Sequence, residues 1–239
     1  MSTPYIPERA MFIYAHPDDI EFGVAGTAAL WAKNGCEVIY VVLTDGNVGS
    51  HDAEMTAEKL AAIRREEQTA AANVVGATCI FLGEHDGLLQ PTLELRKKLV
   101  RLIRRQRPNV VVCGDPTQYF PSDRYINHPD HRAAAQLALD AVFPAAEMHL
   151  LYPDLDAEGI TPHKVNYVYI SWPSQHPNLF IDISETLETK IEALRQHVSQ
   201  LGDWDPTERL TEWSSEVGKK VGFAHAESYY RITLKAIEQ

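Results

Sequence analysis

Met11-Phe12-Ile13-Tyr14-Ala15-His16-Pro17-Asp18-Asp19 passes from an unbroken apolar run straight into a corner that carries an imidazole and two carboxylates. A short apolar run closed by a turn reads as a buried strand, and Pro17 biases His16 toward extended backbone. Outward from this stretch, strand and helix patterns alternate. Residues 23–33 are Ala-rich and helical, with Asn34-Gly35 as a stop. Residues 37–43 form a Val/Ile-rich strand, ended by the turn residues Thr44-Asp45-Gly46-Asn47. A long helix over 55–75 stops at Gly76, and a third strand covers 78–82. A helix over 93–106, a fourth strand over 109–113 and an irregular stretch over 114–128 follow. Strands separated by helices of this length imply an α/β fold, with a mostly parallel sheet covered on both faces. Ligands then sit beyond the carboxyl ends of the strands, so the His16 corner and the loops 44–50, 83–91 and 115–128 should share one rim. Beyond residue 145 the pattern changes. Strands are expected over 165–171 and 179–183, a helix over 185–199, and over 203–239 a polar helix with an aromatic tail at Tyr229-Tyr230.

A chain of 239 residues with 45% hydrophobic and 23% charged residues has the material for a sizeable core. We expect a single domain over 1–239, with a core at about 8–145 and a C-terminal elaboration over 146–239. Lys and Arg number 22 against 33 Asp and Glu, a net charge of −11, which argues against a nucleic-acid partner. The basic run Arg101 to Arg107 reads as a solvated helix face. Cys36, Cys79 and Cys113 form no Cys-x-x-Cys pair, so a disulfide framework is not expected and a reducing compartment fits. The chain has no apolar run near the ~20 residues a membrane span needs, and no basic-then-apolar N-terminal signal. A cytoplasmic protein is the expectation.

The first corner is echoed far downstream by His128-Pro129-Asp130-His131. Pro129 suits the first position of a helix running through Ala133-Ala134-Ala135, which makes His128 its cap and puts Asp130 and His131 in the first turn. Catalytic zinc typically takes three protein ligands and a water, at about 2.0–2.2 Å. His16, Asp18, Asp19, His128, Asp130 and His131 exceed that number, and hydrolysis needs the surplus as acid and base. His51, His149, His163, His176 and His225 read as surface or satisfied core residues.

These residues resemble those of the LmbE-like, or PIG-L, zinc-dependent deacetylases. The likeness rests on Ala15-His16-Pro17-Asp18-Asp19, Thr44-Asp45-Gly46, Arg64 with Glu67, Leu82-Gly83 with Asp86-Gly87, His128-Pro129-Asp130-His131 and, more weakly, His197-Val198-Ser199-Gln200. It implies a Rossmann-like three-layer sandwich and removal of an N-acetyl group from an N-acetylglucosamine-containing small molecule. It further implies one zinc per chain on His16, Asp19 and His131, with Asp18 as general base. His128 would stabilise charge or protonate the leaving amine, Asp130 would tune the histidine partner, and Arg64 and Asp86 would hold the sugar. Assembly as a homo-trimer or hexamer is implied as well. Two features depart from the family pattern. Ile20, not an acid, follows the Asp-Asp pair, with Glu21 one step later. Ile126 stands where some members place a carbonyl-polarising tyrosine, and Tyr125, one position off, is given no role.

Other readings compete. A dinucleotide-binding protein would use Gly23, Gly26 and Asp45, but the G-x-G-x-x-G spacing is missing and two carboxylates occupy the pyrophosphate turn. A non-catalytic metal- or sugar-binding module could use the same pocket. So could a hydrolase of another amide, such as a thiol conjugate. The donor set of two histidines and one aspartate also suits iron or cobalt.

Overall fold

From Ala10 to Tyr14 every residue of strand β1 (Arg9–Tyr14) is buried in the computed structural model, which describes residues 5–235. A strand buried on both faces lies at the centre of a covered sheet. Phe12 and Tyr14 point into one core and Met11 and Ile13 into the other, as the period of two requires. The remaining strands are β2 (Glu37–Thr44), β3 (Ala77–Glu84), β4 (Val110–Cys113), β5 (Tyr167–Ser171), β6 (Leu179–Asp182) and β7 (Ala226–Thr233). They form one seven-stranded sheet in the order β3-β2-β1-β4-β5-β7-β6. The first five strands pair in parallel, and β7 runs antiparallel between β5 and β6.

The helices are α1 (Asp19–Gly23), α2 (Ala25–Lys33), α3 (Ala57–Val75), α4 (Leu93–Gln106), α5 (Pro129–Asp140), α6 (Pro153–Ala157), α7 (Leu187–Arg195), α8 (Val198–Leu201) and α9 (Thr207–Lys219). Trp31 of α2, Ala72 of α3 and Ile191 of α7 cover one face of the sheet. Leu99 and Ile103 of α4 and Leu137 of α5 cover the other. The result is the three-layer, mostly parallel α/β sandwich expected. Local chemistry sets the boundaries: Thr56 and Thr92 cap α3 and α4 by accepting from Lys59 N and Leu95 N, and Gly76 ends α3 at φ 85°.

Because β1 lies between β2 and β4, the connections leave it in opposite directions. This is a switch point, with its crevice at the carboxyl ends of β1 and β4. His16 and Gly114 emerge there.

The C-terminal segment departs from expectation. The polar helix exists as α9, but Tyr229 and Tyr230 belong to β7, in register with Ser171 and Ile170 of β5. Glu227, buried on the same strand, breaks the apolar alternation by which a strand is recognised. Residues 236–239 of the expected tail lie outside the described residues. The helix expected over 185–199 is divided into α7 and α8, with His197 between them.

Glu227 has a structural role. Helix α2 begins after Val24, whose side chain cannot cap it. The Glu227 carboxylate instead accepts from Gly26 N at 3.0 Å and Thr27 N at 2.8 Å, the orphan donors of a helix start. Lys190 of α7 pairs with the same carboxylate at 2.6 Å, both side chains being 5% exposed. Replacing one member of a buried pair strands its partner's charge. Glu227→Ala is therefore expected to lower the unfolding free energy by about 3–5 kcal/mol in a urea titration. Lys33→Ala, which breaks the exposed pair with Glu185, should change it by less than about 1 kcal/mol.

Candidate metal centre and active site

The two corners converge. His16 leaves β1, and Pro129 opens α5 with His128 as its cap, the ring Nδ1 of His128 accepting from Asp130 N at 3.2 Å. His131 Nε2 lies 3.2 Å from His16 Nδ1 and 3.0 Å from Asp19 Oδ1, and His16 Nδ1 lies 3.5 Å from Asp19 Oδ2. Ligands about 2.0–2.2 Å from a tetrahedral ion stand about 3.3–3.6 Å apart. These contacts, made by two ring nitrogens and both Asp19 oxygens at 3.0–3.5 Å, lie close to the edge lengths of such a site.

Hydrogen bonds behind the rings fix which nitrogen faces inward. Asn127 Oδ1 lies 3.1 Å from His131 Nδ1, and the Asn127 amide nitrogen donates to Gln118 O. His131 Nδ1 therefore carries its proton, and the Nε2 lone pair points into the site. His16 Nε2 is flanked by Asp86 Oδ1 at 3.0 Å and Asp130 Oδ2 at 3.4 Å, which leaves Nδ1 free to ligate. Asp130, fully buried, is itself fixed by Gly87 N at 2.7 Å and Leu89 N at 3.3 Å. Since His128 Nδ1 accepts from the backbone, the neutral ring carries its proton on Nε2. That ring stands edge-on to His16, with centroids 4.7 Å apart.

A second donor group shares one member with the first: His16, Asp86 and Asp130, all buried, offer atoms close enough to hold an ion. His16, His128 and His131 form a further candidate set. The residues present thus fit a divalent cation, His16 being common to each donor group.

The electrostatics agree. Burial would push the Asp19 carboxyl up, but His131 and His16 hold it well below the usual carboxylate range. Burial would lower the His16 and His131 imidazoles, yet Asp19 and the other carboxylates raise both. The cluster draws positive charge inward, whether as protons or as a cation. Burial moves the Asp18 carboxyl the other way, up to about 6, against the pull of Arg64. Burial and then the neighbouring imidazoles lower His128.

Asp18 occupies strained backbone at φ 98°, a conformation concentrated at functional sites. Its amide N–H donates to Gln68 Oε1 at 3.0 Å, and its carboxylate accepts from Arg64 at 3.1 Å. Gln68 in turn donates to Glu21 at 2.9 Å, and Glu21 Oε2 lies 3.3 Å from His197 Nε2 without hydrogen-bond alignment. Gln68, Glu21 and His197 are all fully buried.

Arg64 and Asp86, the expected sugar contacts, both have protein partners. Arg64 is 4% exposed, and its guanidinium donates to Pro17 O, Gly46 O and Asp18. Asp86 is turned against His16. The Asp130 carboxylate also faces His16, and only the Asp130 backbone meets His128. Tyr125 and Ile126 are exposed. Asn127 and Gln68 were not anticipated. Asn127 could have been suspected from its place beside His128, but nothing in the pattern of α3 marks Gln68.

A parallel sheet with imidazoles and carboxylates at its switch point defines a class of α/β proteins able to hold a metal and activate water. Residues 11–142 match the profile of GlcNAc-PI de-N-acetylase, PIG-L, and the chain belongs to that family. The diacetylchitobiose deacetylase of Thermococcus kodakarensis is 36% identical over 226 residues, covering 92% of this chain and 81% of that protein. The N,N'-diacetylchitobiose deacetylase structure from Pyrococcus horikoshii superposes with a TM-score of 0.86 at 31% identity, over 95% of this chain and 84% of that one. The 4-carboxy-2-hydroxymuconate hydratase of Pseudomonas putida, at 25% identity, gives a TM-score of 0.80 over 97% and 99% of the two chains. The scaffold thus carries more than one reaction, and function must be argued from the site.

Carboxylates that orient a ligating histidine typically matter 10- to 100-fold for metal affinity. Asp86→Asn is accordingly expected to weaken cation retention by about that factor, read as metal content against a graded chelator.

Proposed function

We propose that this protein is a metal-dependent hydrolase that removes the acetyl group from an N-acetylglucosamine-containing small molecule. The reading rests on the His16–Asp19–His131 triangle with an unused carboxylate, Asp18, adjoining it in the chain. The kinship with deacetylases across nearly the whole chain supports the substrate class. His16 Nδ1, His131 Nε2 and Asp19 would hold the cation, and zinc suits their mixed nitrogen and oxygen donors. Such a cation supplies a Lewis acid that acidifies water toward a pKa of about 7 and polarises the acetamide carbonyl.

The chain's own groups do the rest. Asp18, half-buried with its carboxyl raised to about 6, is close to the range of an effective general base at neutral pH. Arg64 and Gln68 hold it in place. It takes the proton of the attacking water. The neutral His128 ring offers Nε2–H to the oxygen on which charge develops. The proton collected by Asp18 then passes to the departing nitrogen, which returns Asp18 to its carboxylate form. Acetate and a free amino sugar result.

The alternative of another amide, such as a thiol conjugate, uses the same machinery and differs only in what the rim accepts. A screen of N-acetylated amino sugars with zinc-replete and chelated protein, reading free amine and acetate, tests the proposal. Activity on an N-acetylglucosamine derivative that disappears on chelation and returns with zinc is the expected result. Release of amine only from other amides would favour the alternative. Asp18→Ala should retain its cation and lose at least about 10²-fold in turnover. Near-wild-type turnover would remove Asp18 from the role.

A further inference from the structure

Trp172 follows the last residue of β5, and its φ of 45° lies in the left-handed region. That region is uncommon for a bulky residue. Pro173 comes next, and a following proline favours extended backbone, so the conformation runs against local preference twice. Such strain persists only where the surroundings enforce it. They do so here from two sides. Ser174 donates from N and Oγ to Asp115 Oδ2, both at 2.7 Å, while Asp115 Oδ1 accepts from Thr117. This ties the turn carrying the indole to the loop after β4. On the opposite side the indole rests on Gly23 of α1, where a Cβ would come within 2.4 Å of Trp172 Cη2. Gly23 needs no unusual backbone, so its missing side chain serves the close approach.

The indole nevertheless remains 46% exposed. It lines one cavity with Asp19, His131, Asn127, Gln118 and Asp115. Asp19 and His131 bring that cavity to the candidate metal centre, and the half-exposed Trp172 forms another part of its wall. An aromatic face held by these contacts and half open to solvent is available to the part of a substrate that extends away from the reacting group. Aromatic side chains are the usual apolar walls of ligand pockets, and the C–H face of a pyranose is an apolar surface for an indole.

The geometry points to Trp172 as a specificity-determining platform that stacks on the sugar ring next to the reacting N-acetylglucosamine, so that the enzyme prefers a disaccharide to a monosaccharide. This assignment rests on the deacetylase reading above. Stacking is a binding contribution present before and during reaction, so its loss should fall in KM more than in kcat.

The test compares N-acetylglucosamine with its β-1,4-linked dimer, N,N'-diacetylchitobiose, in wild type, Trp172→Ala, Trp172→Phe and Gly23→Ala. The last variant displaces the indole without altering it. Trp172→Ala and Gly23→Ala are each expected to lower the disaccharide-to-monosaccharide ratio of kcat/KM by about fivefold or more, chiefly through KM, and Trp172→Phe by less. An unchanged ratio in Trp172→Ala overturns the platform. Thermal melting separates a folding defect from a lost contact, and Gly23→Ala supplies the same readout with Trp172 intact.

Calorimetric binding of both sugars in an Asp18→Asn background distinguishes the two proposals. Disaccharide binding that depends on Trp172, from a protein whose wild type releases no acetate, would sink the deacetylase reading and leave the platform standing. Disaccharide binding indifferent to Trp172 would sink the platform, even with acetate release intact. Failure of wild type and Asp18→Asn alike to bind either sugar would sink both.

Discussion

The site depends on the grip of the protein on the His16 ring. Asp86 and Asp130 take one nitrogen, and the other is left facing Asp19 and His131. No single segment could arrange this. His16 comes from the end of β1, Asp86 from the loop after β3, and Asp130 and His131 from the first turn of α5. These ends meet because β1 pairs in parallel with both β2 and β4, so that every contributing loop opens on the same edge of the sheet. A flipped His16 ring would turn its lone pair toward Asp86 and Asp130 and take it away from His131.

The surroundings of the site are those of a region where stability yields to chemistry. Asp18 keeps a left-handed backbone and a half-buried carboxyl, with Arg64 and Gln68 as its supports. Neighbouring Asp19 lies in a similar interior yet is shifted the opposite way, because imidazoles adjoin it. Two adjacent carboxylates thus take different characters from their surroundings alone, one suited to bind and one suited to exchange a proton. Behind them, Gln68, Glu21 and His197 extend a buried polar chain from α3 through α1 to the α7–α8 junction. Late-chain residues therefore contribute to the walls of a site whose proposed metal-binding and proton-transfer groups all lie before residue 132.

Much of this was legible in the chain. Strand-then-corner at residues 11–19 and the Pro129 helix start named both halves of the site, and Gly76 and Thr44-Asp45-Gly46 marked element ends. What was not legible depended on partners distant in sequence. Arg64 and Asp86 can be picked out by resemblance, but only the fold shows Arg64 spent on Pro17, Gly46 and Asp18, and Asp86 on His16. Nothing in the sequence around Glu227 marks it as the cap of α2, which has none of its own. Strand β7 was hidden for the same reason, since the acid that caps α2 interrupts the alternation that would have revealed it.

The account is most directly tested by locating the cation, with anomalous diffraction at the zinc edge from crystals of the zinc-loaded protein. It predicts one peak per chain within about 2.0–2.2 Å of His16 Nδ1, His131 Nε2 and an Asp19 oxygen. A peak instead on His16 Nε2 between Asp86 and Asp130, or none at either group, would contradict it.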